Sequence, residues 1–383
     1  MIFYTTLFIG ASIFSFINIF WRNKVFNRMI SIILLIGLCL ITGTRYFMGG
    51  YDIINYSNFF QTTPTLNVLP LRELLIEKGI IGGDIGYLLI NSFIKTIGFS
   101  FFGFTLIVAI FFYSSIYITF KKYINNFTLF LVFFFYKSFL DVTFVYMRQS
   151  IAIALFFLSL KYLDNRKFFK YALIIVIAST VHFSAIILLI LIPLKQLKIT
   201  RKILIIYSVI LTLSYIITYY NINIVSYIYP FFDFLKGTAN MKLESAAGLN
   251  SLYESSKTNI LHLVEFLVID AILIYSFDSI DVTDSKKDTA IKLFLCLLPI
   301  FSIFAGQEIF IRMKYYLILS YPLVLEYSFV KFDKVKITVI VLVASVLCYF
   351  GMLKFAMQFD GGVMLNYESF LQHDVSIFKG EGE

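Results

Sequence analysis

The chain has 383 residues, of which 60% are hydrophobic and 14% are charged, and its mean hydropathy is +0.86. Soluble domains are about 45–50% apolar and about 25% charged, so this composition predicts a polytopic membrane protein and excludes a soluble enzyme. The net charge of +9 lies in short loops between apolar runs, which is typical of membrane topology and not of nucleic-acid binding.

The first apolar run, 2–20, is long enough to span a bilayer and is followed by Trp21 and a short basic loop. Basic loops face the cytoplasm, so we expect the N-terminus outside and the second span, around 30–41, to return to the outer side. The first outer segment, 45–100, contains the run 84–98, which is apolar but short for a crossing. We predict that 84–98 is a re-entrant or interfacial helix.

The later apolar runs alternate with polar loops, most of them basic, and predict further crossings. These runs are 101–120, 127–140, 149–163, 168–181, 183–194, 203–220, 260–277, 289–305, 309–330 and 337–356. A second outer segment, 221–259, and a polar C-terminal tail, 357–383, lie outside by the same count. The sequence therefore predicts an all-α, polytopic integral membrane protein of about twelve transmembrane helices in a single domain, 1–383, with both termini outside.

Cysteine, histidine and glycine patterns give no sign of a bound group. Cys39, Cys296 and Cys348 lie inside apolar runs without metal-ligand spacing, and the three histidines lie far apart. Neither a phosphate-binding loop nor a dinucleotide-binding glycine motif is present. We therefore expect no metal and no cofactor.

Unusual polar residues collect on the predicted outer side. Arg45 follows the second span, and Arg148 and Arg312 each begin an apolar run. An arginine in hydrocarbon costs about 2.5–3.5 kcal/mol, and its planar fork donates two hydrogen bonds at once to phosphate oxygens. The arginines therefore predict a site for a lipid-linked pyrophosphate. As structural alternatives, Arg45 can anchor its helix at the headgroups, and Arg148 can bridge to Asp141 or to another helix. Arg312 can equally form an i,i+4 ion pair with Glu308.

Five short runs carry a family resemblance. They are RYFMGGYDIINY at 45–56, DIGYLLIN at 84–91, YMRQSIA at 146–152, VHFSA at 181–185, and Arg312 with Tyr315. In this order and spacing they resemble the EpsG-like branch of the Wzy polysaccharide polymerases. The motifs cover 45–185 well and the C-terminal half thinly.

The resemblance implies a metal-independent, GT-C-like glycosyltransferase in the bacterial inner (cytoplasmic) membrane, with periplasmic N- and C-termini. Such an enzyme joins oligosaccharide repeat units carried on undecaprenyl pyrophosphate at the outer leaflet, as in O-antigen or capsule synthesis. A chain-length regulator and a flippase are the protein partners that the resemblance implies.

This function requires cations for the pyrophosphate and a base for the acceptor hydroxyl. Arg148 and Arg312 are expected to hold the pyrophosphate, with Arg45 as a second clamp. We expect Asp52 or His182 to be the catalytic base, although Asp52 can instead cap a helix and His182 can be a hydrogen-bonded turn residue. The expected glycan-binding residues are Tyr56, Tyr87, Gln149, Glu308 and Tyr315. Segment 221–259 is expected to cover the glycan groove.

Other functions fit parts of the same pattern. An O-antigen ligase uses the same donor but takes a lipid A core as its acceptor. A lipid-linked oligosaccharide flippase would line its bundle with charges at mid-depth and open to both faces. An acyltransferase is a further alternative, for which His182 has no convincing partner in the sequence.

Overall fold

The computed structural model describes residues 1–21, 23–70, 84–220, 260–305 and 308–378, with only the backbone described for 308–311. The described residues form helices and two isolated β-bridges, without a strand. The predicted all-α architecture is therefore confirmed. The predicted outer segment 221–259 lies outside the described residues.

The described helices are numbered here in chain order. They are α1 (Ile2–Phe20), α2 (Lys24–Gly43), α3 (Tyr51–Thr62), α4 (Ile85–Thr96), α5 (Phe101–Phe120), α6 (Phe127–Phe134), α7 (Met147–Asp164), α8 (Phe168–Val181), α9 (Leu191–Gln196), α10 (Arg201–Tyr219), α11 (Ile260–Ser276), α12 (Ser285–Leu295), α13 (Leu297–Phe301), α14 (Glu308–Leu317), α15 (Ser320–Ser328) and α16 (Lys334–Gln358). Two π-helical segments, Phe135–Phe139 and Asp141–Val145, follow α6, and a 3-10 segment, Phe183–Ile190, precedes α9.

Six of the described helices are long and apolar enough to cross a membrane. They are α1, α2, α5, α10, α11 and α16, the last two together with the 3-10 turns that follow them. The other predicted crossings coincide with shorter, interrupted or more polar helices, so the count of twelve stays a prediction. Helix α4 has 12 residues and is about 18 Å long, which agrees with a segment too short to span.

Three predicted spans, 183–194, 289–305 and 309–330, are each interrupted, and the prediction of one continuous helix for each of them is wrong. Pro193, Pro299 and Pro322 are each the third residue of the helix that follows the break. Proline has no N–H to donate to the carbonyl four residues earlier, and its ring clashes there. Each proline is therefore tolerated in a first turn and forces the preceding helix to end.

Helix α6 lies at the centre of the bundle. All eight of its residues are buried, and an all-round apolar surface is what a helix enclosed by others requires. The predicted span 127–140 therefore exists, but its outer half is π-helical. The predicted outer turn 141–148 is the second π segment followed by the start of α7.

The predicted polar tail, 357–383, is not a free extension up to residue 378. Ser369 forms a β-bridge with Arg45, and Phe378 forms one with Phe99. The Tyr46 ring stacks on the His373 ring with centroids 3.7 Å apart, and the Ser100 N–H donates to the Ile377 carbonyl at 2.9 Å. The tail is thus bound across the loops that follow α2 and precede α5.

Contacts between elements define two ends of the bundle. The arginine end holds residues 44–50, 84, 141–149 and 312–315. The lysine end holds 23–27, 121–126, 164–167, 195–202, 278–292 and 326–336.

Candidate functional site

An irregular corner connects α6 to α7 at the arginine end. Tyr146 has a non-helical backbone between the second π segment and α7. Its N–H donates to the Asp141 carbonyl at 3.1 Å, and its carbonyl accepts from the Ser150 N–H at 2.8 Å. These bonds hold residues 141–149, which we call the arginine corner, in one compact turn. π segments often occur at functional sites.

Arg148 begins α7 and meets residues from α3 and α4. Its Nη1 donates to Asp84 Oδ2 at 2.7 Å, and its guanidinium lies 5.8 Å from the ring centres of both Tyr56 and Tyr87. The side chain is 37% exposed, and its buried Nε has no hydrogen-bond partner within the described residues. Arg148 is therefore oriented by its neighbours and keeps donor capacity for an anion.

Close packing of α4 on α8 positions Asp84. A β carbon added to Gly86 would lie 2.3 Å from Thr180 Oγ1, so only glycine permits this approach. The same contact brings the start of α4 beside the end of α8, where His182 is the C-cap. Two residues on, Ser184 Oγ lies 3.2 Å from the Tyr316 hydroxyl. His182 therefore lies between α4 and α14, at the edge of the arginine end.

Arg312 reaches the corner from α14. Its guanidinium lies 5.1 Å from the Tyr146 ring centre, and its carbonyl accepts from Gln149 Nε2 at 2.9 Å. One turn later, the Tyr315 ring lies 5.5 Å from the Tyr146 ring, and its hydroxyl donates to Asp141 Oδ2 at 2.6 Å. Residues three apart share a helix face, so α14 presents a cation and a hydroxyl together. The predicted Glu308 side chain lies outside the described residues.

Arg45 is buried behind the corner. It is 2% exposed, donates to the carbonyls of Met48 (3.1 Å) and Thr42, and lies 5.4 Å from the Phe144 ring centre. A small cavity of about 10 Å³ lies beside it. These contacts hold the turn after α2 against the corner. A direct clamp on pyrophosphate stays a prediction.

The predicted Asp52 and Tyr56 lie one turn apart on α3. Asp52 is in the first turn, where the helix dipole favours a negative charge. The Tyr56 ring meets the Tyr87 ring edge-on at 6.0 Å. Burial raises the pKa of the Tyr56 hydroxyl, and the Arg148 guanidinium opposes that shift. The hydroxyl therefore stays protonated at neutral pH and can donate a hydrogen bond.

A second ionic cluster lies deeper in the bundle, and the sequence analysis missed it. Lys137, in the first π segment, forms an ion pair with Glu265 of α11 and is 5% exposed. Glu265 also accepts from the Tyr136 hydroxyl at 3.1 Å, and His262 Nδ1 lies 3.7 Å from its carboxylate. The sequence carried a signal, because Lys137 and Glu265 are charges inside apolar runs.

The site thus gathers most of its predicted residues. Arg148, Tyr56 and Tyr87 form one group with Asp84, and Arg312, Gln149 and Tyr315 form another around Tyr146. Arg45 adjoins the corner through Phe144, while Asp52 and His182 flank it. Two oriented guanidiniums beside carboxylates can bind an anionic group and accept a proton. No group of three His, Cys, Asp or Glu among the described residues is placed to hold a metal ion.

The comparison with protein families decides which class of protein carries this site. The model of the EpsG family matches residues 28–369, which includes every described site residue. The chain belongs to the EpsG family. The resemblance seen in the short motifs is confirmed, and membership of the EpsG family indicates a polysaccharide-polymerase-like glycosyltransferase. Comparisons with curated proteins and with solved structures give no significant match.

Proposed function

We propose that this EpsG-family protein polymerises oligosaccharide repeat units carried on undecaprenyl pyrophosphate, as in O-antigen or capsule synthesis. The observation that carries the proposal is the convergence of Arg148 and Arg312 on the arginine corner. Each guanidinium lies over a tyrosine ring, which orients it, and the Arg148 Nε has no hydrogen-bond partner among the described residues.

The chemistry follows from the leaving group. Pyrophosphate leaves with its own negative charge, so the protein needs cations near the breaking bond more than it needs an acid. Arg148 and Arg312 supply these cations in our proposal, and Arg45 supports the corner from behind. Tyr56, Tyr87, Gln149 and Tyr315 pack around the cations. Tyr87, Gln149 and Tyr315 are buried, so the half-buried Tyr56 is the ring best placed among them to meet a sugar. This mechanism requires no metal.

Charge at the two ends supports a site on the outer leaflet of the inner membrane. Loops at the lysine end are basic, with Lys121, Lys122, Arg166, Lys167, Lys198, Arg201, Lys202, Lys286, Lys287, Lys331, Lys334 and Lys336. Basic loops stay in the cytoplasm, so the arginine end and both termini would face the periplasm.

Ion pairs and backbone hydrogen bonds pack the lysine end. Asp288 lies 2.7 Å from the ammonium groups of both Lys195 and Lys292, and each lysine side chain is less than a tenth exposed. Glu326 accepts from the N–H groups of Asn125 and Asn126 at 2.8 and 2.9 Å. These contacts keep the lysine end closed in this conformation, and the polysaccharide gel below separates a polymerase from a flippase.

The test is the surface polysaccharide of a deletion strain of the native host, complemented with variants and run on a gel. We expect wild type to restore a ladder, and Arg148→Ala to leave core plus one repeat unit at normal protein level. Arg201→Ala is the matched control, since this exposed lysine-end arginine pairs only with exposed Asp278 at 2.9 Å. A full ladder from Arg148→Ala would refute the role of Arg148. Loss of every band above the core on deletion would indicate a ligase or a flippase.

A further inference from the structure

The described carboxylates at the arginine end differ in what their oxygens contact. Asp84 pairs with Arg148 through Oδ2, and its Oδ1 is buried. Asp141 is half-buried and accepts from the Tyr315 hydroxyl through Oδ2 alone. Its Oδ1 accepts no hydrogen bond from any described residue, so Asp141 keeps an oxygen available for a further donor.

Asp141 is also close to the cations of the proposed site. Its carboxylate is joined through Tyr315 to the Tyr146 ring, which lies under the Arg312 guanidinium. Its own carbonyl accepts from the Tyr146 N–H, two residues before Arg148. The carboxylate and both arginines therefore lie around one corner, the turn formed by residues 141–149.

Burial and two nearby lysines act in opposite directions on the Asp141 carboxyl. Burial raises its pKa, and the Lys314 and Lys137 ammonium groups only partly oppose that rise. A partly desolvated carboxylate is a stronger base than one in water. The two bases predicted from the sequence are less central than Asp141. Asp52 lies in the first turn of α3, a helix that contacts the arginine corner through Tyr56. His182 lies at the edge of the site.

We propose that Asp141 is the catalytic base, in place of Asp52 or His182, an inference that rests on the proposed polymerase function. Asp141 Oδ1 takes the proton as the O–H bond of the acceptor sugar breaks. The hydroxyl electron pair forms a bond to the anomeric carbon of the donor glycan. The bond from that carbon to the pyrophosphate oxygen breaks, and its electron pair leaves with the lipid pyrophosphate, whose charge Arg148 and Arg312 stabilise. Asp141 then returns its proton to water.

The Tyr315–Asp141 hydrogen bond separates a catalytic role from a structural one. In Asp141→Asn the amide oxygen still accepts from Tyr315, but the side chain is no longer a base. In Tyr315→Phe the hydrogen bond is lost, but the carboxylate remains. A base predicts a loss of at least about 100-fold for Asp141→Asn and a smaller loss for Tyr315→Phe, whereas a structural contact predicts the reverse order.

The assay uses membranes from the deletion strain, which hold the unpolymerised lipid-linked repeat unit, with each variant expressed at matched level. Released undecaprenyl pyrophosphate and polymer length are measured over time. Asp278→Asn, an exposed aspartate at the lysine end, is the matched control and is expected to equal wild type. If Asp141→Asn fails to accumulate, Asp141→Ser takes its place, since its hydroxyl can accept from Tyr315 but is not a base near neutral pH. Polymer from this variant above one tenth of wild type would overturn the inference.

Three further outcomes separate a failure of the base assignment from a failure of the proposed function. Asp141→Asn within threefold of wild type, with Arg148→Ala inactive, would overturn the base assignment and leave the proposed function intact. Asp52→Asn or His182→Ala losing more activity than Asp141→Asn would also overturn it. Wild type that releases no lipid pyrophosphate and makes no polymer would instead refute the proposed function.

Discussion

The Lys137–Glu265 pair gives a prediction about stability that depends only on the fold. Glu265→Gln keeps the shape of the side chain but removes the negative charge beside Lys137, whose side chain is 5% exposed. Removing one partner of a buried ion pair costs about 3–5 kcal/mol, because the other charge stays buried without compensation. At about 2 cal/mol/K per residue, this cost corresponds to a fall of roughly 4–6 °C in the unfolding midpoint.

The assay is the thermal midpoint of detergent-solubilised protein, followed by the loss of the monodisperse peak in size-exclusion chromatography. The double variant Lys137→Met with Glu265→Gln removes the stranded charge, so we expect it to be more stable than Glu265→Gln alone. Asp278→Asn breaks an exposed pair and is expected to cost at most about 1 kcal/mol. A double variant with the summed loss of its two single variants would refute the reasoning.

Three further predictions concern packing. In Gly86→Val, even the β carbon of the new side chain would lie 2.3 Å from the Thr180 hydroxyl. We therefore expect a loss of at least about 1–3 kcal/mol in the free energy of unfolding and a shortened polysaccharide ladder. An unchanged thermal midpoint would contradict the close approach of the two helices. Asp288→Ala strands two buried lysines and should lower the midpoint by a similar 4–6 °C, to be compared with Asp278→Ala. Gly49→Ala, at φ +145° and with its β carbon 2.3 Å from a corner carbonyl, should reduce the yield of folded protein, whereas Gly361→Ala in open space should reduce it less.

Composition and apolar periodicity were sufficient to predict the class of fold and the two ends of the bundle. They were sufficient because a bilayer demands long apolar helices and basic loops mark one side. The short helix at 85–96 and the gathering of Arg148 with Tyr56 and Tyr87 also agree with expectation. The roles assigned to these residues stay predictions, since geometry does not measure catalysis.

Prolines in the sequence indicated the helix breaks, but the prediction of continuous spans did not take them into account. Pro193, Pro299 and Pro322 each lie inside an apolar run, where a continuous helix would lose a hydrogen bond. The spans were predicted from the length of each apolar run, and this criterion does not register a proline. Lys137 and Glu265 were equally visible as charges within apolar runs, and a search for intramembrane ion pairs would have found them.

Two features could not be predicted from the residues. The π segments after α6 change the backbone pattern from i→i+4 to i→i+5, and no residue type specifies that change. The docking of the tail on residues 44–46 and 99–100 rests on backbone hydrogen bonds, which any sequence can form once the chain is brought there. Asp141 was predicted to lie in an outer turn because the π-helical backbone there cannot be inferred from residue types. Its hydrogen bond with Tyr315 became evident only from the fold.

Reconstitution is the most direct test of the central claim. Purified wild-type protein in liposomes would be given the lipid-linked repeat unit extracted from the deletion strain, and the products would be separated by size. The proposed function predicts a ladder of polymer with one lipid pyrophosphate released per bond formed, and no ladder from Arg148→Ala or Arg312→Ala. Repeat units that stay single with the wild-type protein, whether or not they cross the bilayer, would contradict it.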